Sequence, residues 1–292
     1  MQNSMYEETY GSGNIPQYKK PERRRAGRIV MFVVIAWILS LLLVGGLVFV
    51  VRLLNPTPVR TITETRIFNL AAGMQPTLIV TNDQGFVHVH AGTGNTITVT
   101  TTKVGDSYGA SPDDFKVSYI QHGNTIIIQV NNDSIHLFDF SNSSQADLDV
   151  TVPARSDLQL ETDSGDITAN GINGKMTLTS NSGSLQATED SLDSGSRLTT
   201  DSGNITMRGS IGATGNYLFQ SNSGTIDVTL PASTSFHARL ASNSGSITNE
   251  FPLANAHQPG SNDRTVIGDV GVSPQATLTM QSDSGSLNLS HL

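Results

Sequence analysis

At 292 residues with a net charge of −8, 14% charged and 6% aromatic residues, the chain has room for one large domain and an anchor. It contains no cysteine, which excludes a disulfide framework and any thiolate metal site. From Arg52 onward 11 basic residues face 22 acidic ones, and that balance argues against nucleic acid or anionic lipid as a partner of this part.

Residues 1–28 are polar and end in a basic cluster, Lys19, Lys20, Arg23, Arg24, Arg25 and Arg28, which reads as a disordered cytoplasmic tail. Residues 29–51 form an uninterrupted apolar run whose one weakly polar side chain is Ser40. At about 1.5 Å per residue the run spans roughly 34 Å, enough for the hydrocarbon layer of a bilayer. Basic residues before it place the N-terminus in the cytoplasm and the bulk of the chain outside. The stretch Val50-Val51-Arg52-Leu53-Leu54-Asn55-Pro56 offers no small-residue cleavage site, so the run is expected to be a retained single-pass transmembrane helix rather than a signal peptide. Residues 52–67, with Pro56 and Pro58 near the start, read as a linker.

The remainder, 68–292, is organised by a repeated phrase. It occurs as Thr162-Asp163-Ser164-Gly165-Asp166-Ile167 and recurs around Asn181, Asp201, Asn222, Asn243 and Asp283. The spacing is near 20 residues, with one double gap before the last copy. Counting the Asp/Asn as position zero, position −3 holds Leu160, Leu178, Leu198, Phe219, Leu240 and Met280, and position +4 holds Ile167, Leu185, Ile205, Ile226, Ile247 and Leu287. Positions −5 and +6 are mostly apolar as well. Apolar side chains two apart on both sides of a glycine bend predict two short half-buried strands per coil. A period of this length predicts a solenoid. The expected fold is therefore all-β, a parallel β-helix with coils of about 20 residues.

At the bend, position −1 is always Ser or Thr, small enough to point inward. The glycine is expected to supply backbone angles costly to other residues, and the Asp/Asn to tolerate a left-handed conformation. A divergent first coil is visible at Leu78, Val80, Val87 and Val89 around Gly85. Further strands are expected at Ile97–Val99, Val117–Tyr119 and Thr125–Val130, with loops at 104–114 and 131–146. Asp149-Val150-Thr151-Val152-Pro153 is echoed by Asp227-Val228-Thr229-Leu230-Pro231, each Pro marking a strand end. Residues 251–271 break the period and read as a loop replacing part of a coil. The chain stops at His291-Leu292 with no evident capping element, so the solenoid ends are expected to associate with one another.

The phrase at this spacing, with its Val-Thr-Val-Pro lead-in, resembles the bacterial putative adhesin family, a domain of unknown function. The resemblance covers about residues 68–290. It implies a right-handed parallel β-helix carried outside a membrane anchor, and it brings no catalytic or binding residues with it.

Chemistry-bearing residues are few. Asp-Ser-Gly resembles the serine context of proteases, but a nucleophile is one activated serine, whereas here six equivalent ones recur. Asp163, Asp166, Asp193, Asp201 and Asp283 could offer oxygen ligands to calcium, yet half the ladder positions are Asn and the glycine-rich calcium repeat is missing. His88 and His90 alternate on one strand face without an evident third ligand. Arg197 and Arg239, both at position −4, would share an outer face and could meet an acidic glycan. No catalytic, cofactor or metal residue is assigned, and no enzyme activity or cofactor is expected. The expected role is a non-catalytic binding, adhesion or scaffolding surface at the cell envelope, with envelope glycan or a surface protein as partner. An envelope-stress sensor signalling through the anchor is the alternative, and a polysaccharide-active enzyme trails both.

Overall fold

The computed structural model of the chain describes residues 34, 35, 37–40, 43, 44, 46, 59–105, 111–132, 144–257 and 264–292. It divides into two units, Met1–Pro56 and Thr57–Leu292. In the first, the described residues of the apolar run are helical and expose Val34, Ile35, Trp37, Ile38, Leu39, Leu43 and Val44. Among the described residues no helix is long and apolar enough to cross a membrane. The tail, most of the expected span and residues 52–58 lie outside the described residues.

The second unit is built from strands. In its N-terminal part these are β1 (Arg60–Asn69), β2 (Thr77–Gln84), β3 (Val87–Gly92), β4 (Thr96–Gly105), β5 (Phe115–His122), β6 (Thr125–Asn132) and β7 (Gln145–Pro153). The central part has β8 (Asp157–Ser164), β9 (Ile167–Asn170), β10 (Asn173–Gly174), β11 (Met176–Ser182), β12 (Leu185–Leu192), β13 (Arg197–Thr200) and β14 (Ile205–Ile211). The C-terminal part has β15 (Thr214–Ser221), β16 (Ile226–Leu230), β17 (Phe236–Ser242), β18 (Ile247–Asn249), β19 (Ala254–His257), β20 (Thr265–Val270), β21 (Gln275–Ser282) and β22 (Leu287–His291). Strand β1 thus occupies the second half of the stretch expected to be linker.

Six coils are each a strand, a Ser-Gly bend and a second strand, and the β2–β3 coil bends at Gln84-Gly85. First strands stack in one sheet, in the order β5-β6-β2-β8-β11-β13-β15-β21-β17-β20-β19. Second strands stack in the other, in the order β1-β4-β7-β3-β9-β12-β14-β16-β22-β18. From β6 to β17 and from β7 to β18 all neighbours run parallel. Register follows the repeat: Leu178 pairs with Leu160 and Leu198, and Leu185 with Ile167 and Ile205. Because side chains alternate, the aliphatics at −5, −3, +4 and +6 all face the space between the sheets. They form one buried column from Leu78 to Leu289.

Chain order and spatial order differ at both ends. The first coil, β2–β3, lies between the coil β6–β7 and the coil β8–β9. The last coil, β21–β22, lies between β15–β16 and β17–β18. Each terminal coil is therefore held by hydrogen bonds on both sides instead of sitting exposed at an end.

The segment expected to be a loop, 251–271, carries β19 and β20, which extend the sheet antiparallel from β17. This corrects the expectation of an uncapped C-terminal end. Phe251 closes the core there, edge-on to Phe236 at 5.3 Å between ring centroids. Three side chains lace the cap: Asp269 on β20 binds His237 of β17 and accepts from Asn255 Nδ2 of β19 at 3.0 Å. These hydrogen bonds, Asn255 first and His237 second, hold the Asp269 carboxyl below the usual carboxylate range. At the other end β4 adds antiparallel to β7 and β1 antiparallel to β4, and β5 adds antiparallel to β6.

Candidate binding face

The bend shows why the phrase needs its residues. A Cβ on Gly183 would lie 2.0 Å from the carbonyl oxygen of Gly165, and one on Gly203 2.0 Å from that of Gly183. A Cβ on Gly224 would lie 1.9 Å from Gly203 O, one on Gly285 1.9 Å from Gly224 O, and one on Gly245 1.8 Å from Gly285 O. The glycines form a stack in which each coil's backbone rests on the next. Gly183, Gly203, Gly224, Gly245 and Gly285 have no positive φ, and neither do the Asp/Asn residues beside them. Close approach, rather than the left-handed backbone expected from the sequence, is what requires glycine here.

The inward Ser/Thr at −1 has a partner in the same stack. Ser180, Thr200, Ser221 and Ser242 donate to the carbonyls of Gly165, Gly183, Gly203 and Gly285 at 3.2, 2.9, 2.9 and 2.8 Å. Thr162 breaks the series: Asn82 Nδ2 reaches Gly85 O at 3.2 Å, and the Thr162 hydroxyl has no partner.

Outside the bend, position zero reads in spatial order Asp163, Asn181, Asp201, Asn222, Asp283, Asn243. Asn181 donates to Asp163 at 3.0 Å, Asn222 to Asp201 at 3.0 Å and Asn243 to Asp283 at 2.9 Å. Position +3 has the same two-coil period, with Ser184 N donating to Asp166 Oδ1 at 2.7 Å and Thr225 N to Asn204 Oδ1 at 2.9 Å. The carboxylates of this ladder are thus about 10 Å apart, two strand spacings, with an amide donor between them. Asp193 stands apart, in the turn after β12, where its carbonyl accepts from Ser196 Oγ at 2.6 Å. Among the described residues no three His, Asp or Glu side chains are grouped so as to hold a metal ion. A shallow recess of about 220 Å³ opens beside the ladder between Gln220, Asn222, Asn243, Gln281 and Asp283.

Arg197 and Arg239 share a row on the outer face of the first sheet, but the row runs Arg197, Leu218, Thr279, Arg239. They share the outer face as expected, and the interleaved last coil puts an extra strand between them.

The outer face of the second sheet is more uniform. Strand pairing aligns Thr65, Thr100, Asp149, His88, Thr168, Gln186, Thr206, Asp227, Asn288 and Thr248 in one row across ten strands. Beside it run Thr98, Thr151, His90, Asn170, Thr188, Arg208, Thr229 and Ser290. Neighbours in the rows bind one another: Thr151 to His90 Nε2 at 2.8 Å, Asn170 to Thr188 at 2.9 Å, Thr229 to Ser290 at 2.9 Å and Asn288 to Asp227 at 2.6 Å. His90 Nδ1 also lies 3.5 Å from Asp149, so His90 belongs to a hydrogen-bonded surface. With strands about 4.8 Å apart the rows extend some 40 Å. Their signal lies at positions +5 and +7 of the coils, which hold Thr, Asn, Gln or Ser except at His88, His90, Arg208, Asp227 and Glu250.

The repeat, the parallel coils and the glycine stack agree with the family comparison, whose model Toastrack DUF4097 matches residues 77–216. The coils beyond residue 216 continue the register of the matched part, at Phe219–Met280–Leu240 and Val228–Leu289–Asn249. The domain is one of unknown function, in keeping with the adhesin-family resemblance of the repeat. No curated protein matches the chain. Two solved structures are similar to it. A putative cell adhesion protein from Clostridium sporogenes has a TM-score of 0.49 and 10% identity, over 80% of this chain and 100% of that chain. A putative adhesin from Bacteroides fragilis has a TM-score of 0.42 and 10% identity, over 79% of this chain and 97% of that chain.

Proposed function

We propose that the protein is a membrane-anchored, non-catalytic binding surface of the bacterial cell envelope, in which the outer face of the second sheet holds a polyhydroxylated ligand such as an envelope glycan. The observation that carries this reading is the pair of hydrogen-bonding rows across the second sheet. A sugar polymer lying across them meets a hydroxyl or amide at nine of the ten strands and a histidine at β3, and the strands rigidify the rows so that little order is lost on binding. The titratable groups of the rows fall in two places, Asp149 with His88 and His90 at one and Asp227 with Arg208 at the other. The apolar run 29–51 and the basic cluster before it support a single-pass anchor with this face outside the membrane.

Glycan-array binding tests the reading. The chain should retain a subset of polysaccharides. Thr206→Lys, at the middle of the rows, should lower retention about tenfold, while Thr177→Lys on the opposite sheet leaves it unchanged. Equal losses in both variants, or binding to no glycan, would contradict it.

A further inference from the structure

The ends of the two sheets are not equally protected. At the C-terminal end the outermost strands are β18, three residues long, and β19, four residues long with a register shift between Ala254 and His257. Short and bulged edges of this kind resist pairing with another chain. At the N-terminal end the outermost strand of the second sheet is β1, ten residues, paired with β4 in unbroken register from Arg60–Gly105 to Asn69–Thr96. It contains neither proline nor glycine. Among the described residues no strand pairs with its outer edge, where Gln121 Nε2 donates to the Asn69 carbonyl at 2.8 Å. Ile67 on this strand is 64% exposed.

We infer that β1 is a homodimer interface, on which a second copy of this chain adds its own β1 antiparallel and joins the two polar faces into one sheet. The sequence of the strand selects the pairing. A two-fold axis normal to the sheet keeps the buried face of each copy on the same side, provided that residues of like parity stand opposite one another. Centred on Thr65, such a pair sets Glu64 opposite the partner's Arg66, twice, and Ile62 opposite the partner's Phe68, also twice. Centred on Glu64 it opposes two glutamates, on Thr63 it opposes Arg60 to Arg66, and on Arg66 it opposes two arginines. Like charges directly opposite destabilise a ladder, and opposite charges support it. Centres nearer either end of the strand pair five residues or fewer. One full-length register is free of like-charge pairs.

The chain has no cysteine, so single substitutions report on this register cleanly. In the full-length chain in detergent, Thr65→Cys places two thiols opposite each other, with Cα atoms about 5 Å apart, within disulfide reach. In Thr63→Cys the two thiols are offset by four residues, about 13 Å along the strands, and cannot bridge. Mild oxidation should convert Thr65→Cys to a covalent dimer at least tenfold faster than Thr63→Cys, and the unsubstituted chain should show a dimeric mass. A monomeric mass at every concentration, or equal cross-linking of the two variants, would overturn the interface.

Discussion

At the scale of the residue, the glycine of the bend is the most constrained position in the coil. Its role was only partly legible beforehand. The sequence shows that glycine recurs, and the usual reason is a left-handed backbone, but in five of the coils the reason is the carbonyl of the neighbouring glycine. That contact is between residues 18 to 61 positions apart, so no local rule exposes it. Gly224→Ala should therefore be costly, because a methyl 1.9 Å from Gly203 O can be accommodated only by separating two coils. The expected loss is about 3 kcal/mol in chemical denaturation, at the upper end of overpacking penalties. Ser223→Ala, one residue away and exposed, should cost no more than about 0.5 kcal/mol.

At the scale of the element, the strands and their register were readable because apolar residues at −5, −3, +4 and +6 leave no alternative assignment of faces. Strand β12 holds a feature that period alone could not reveal. Its register against β14 shifts between Thr188 and Asp190, Glu189 takes a φ of 60°, and Asp190 turns inward to 2% exposure. One carboxyl oxygen of Asp190 accepts from the Ile172 backbone N–H and the other has no partner. Burial pushes its pKa up to about 7, against the lowering effect of the backbone hydrogen bonds, with Glu189 adding repulsion. The folded protein then holds a proton that the unfolded chain releases above the ordinary carboxylate range. Between about pH 4 and pH 7 the folded state binds more protons, so this group's contribution to stability falls as pH rises through that window and is constant above it. Asp190→Asn should remove this slope, with unfolding midpoints at pH 5 and pH 8 drawing together by the equivalent of about 2 kcal/mol. A slope unchanged in the variant would assign the pH dependence to another group.

At the scale of the whole molecule, the order of the coils was the part hardest to read. Parallel coils of equal register stack equally well in any order as far as their aliphatics are concerned, so periodicity fixes the rungs and leaves their sequence in space open. The hint lay in the polar ladder. In chain order it runs Asp163, Asn181, Asp201, Asn222, Asn243, Asp283, and the alternation fails at the last two. Exchanging their places restores it, and that is the spatial order. The same interleaving separates Arg197 from Arg239 and carries the polar rows of the second sheet through Asn288 without a gap. At the N-terminal end the first coil is taken in beneath the coil of β6 and β7, so both chain ends of the solenoid are held between neighbours. The C-terminal coil should therefore resist peeling, whereas β1, the first strand of the unit, is held on one side.

Interleaving at the C-terminal end underlies the continuous face, and disulfide trapping tests it directly. Asp227, Asn288 and Thr248 stand at matched positions on three adjacent strands, in that order. Paired cysteines at 227 and 288, or at 288 and 248, should oxidise readily at a Cα separation of about 4.8 Å, whereas the pair at 227 and 248, two strands apart, should stay reduced. Rapid bridging of 227 to 248, with 227 and 288 left as free thiols, would mean that the coils follow chain order and would contradict the account.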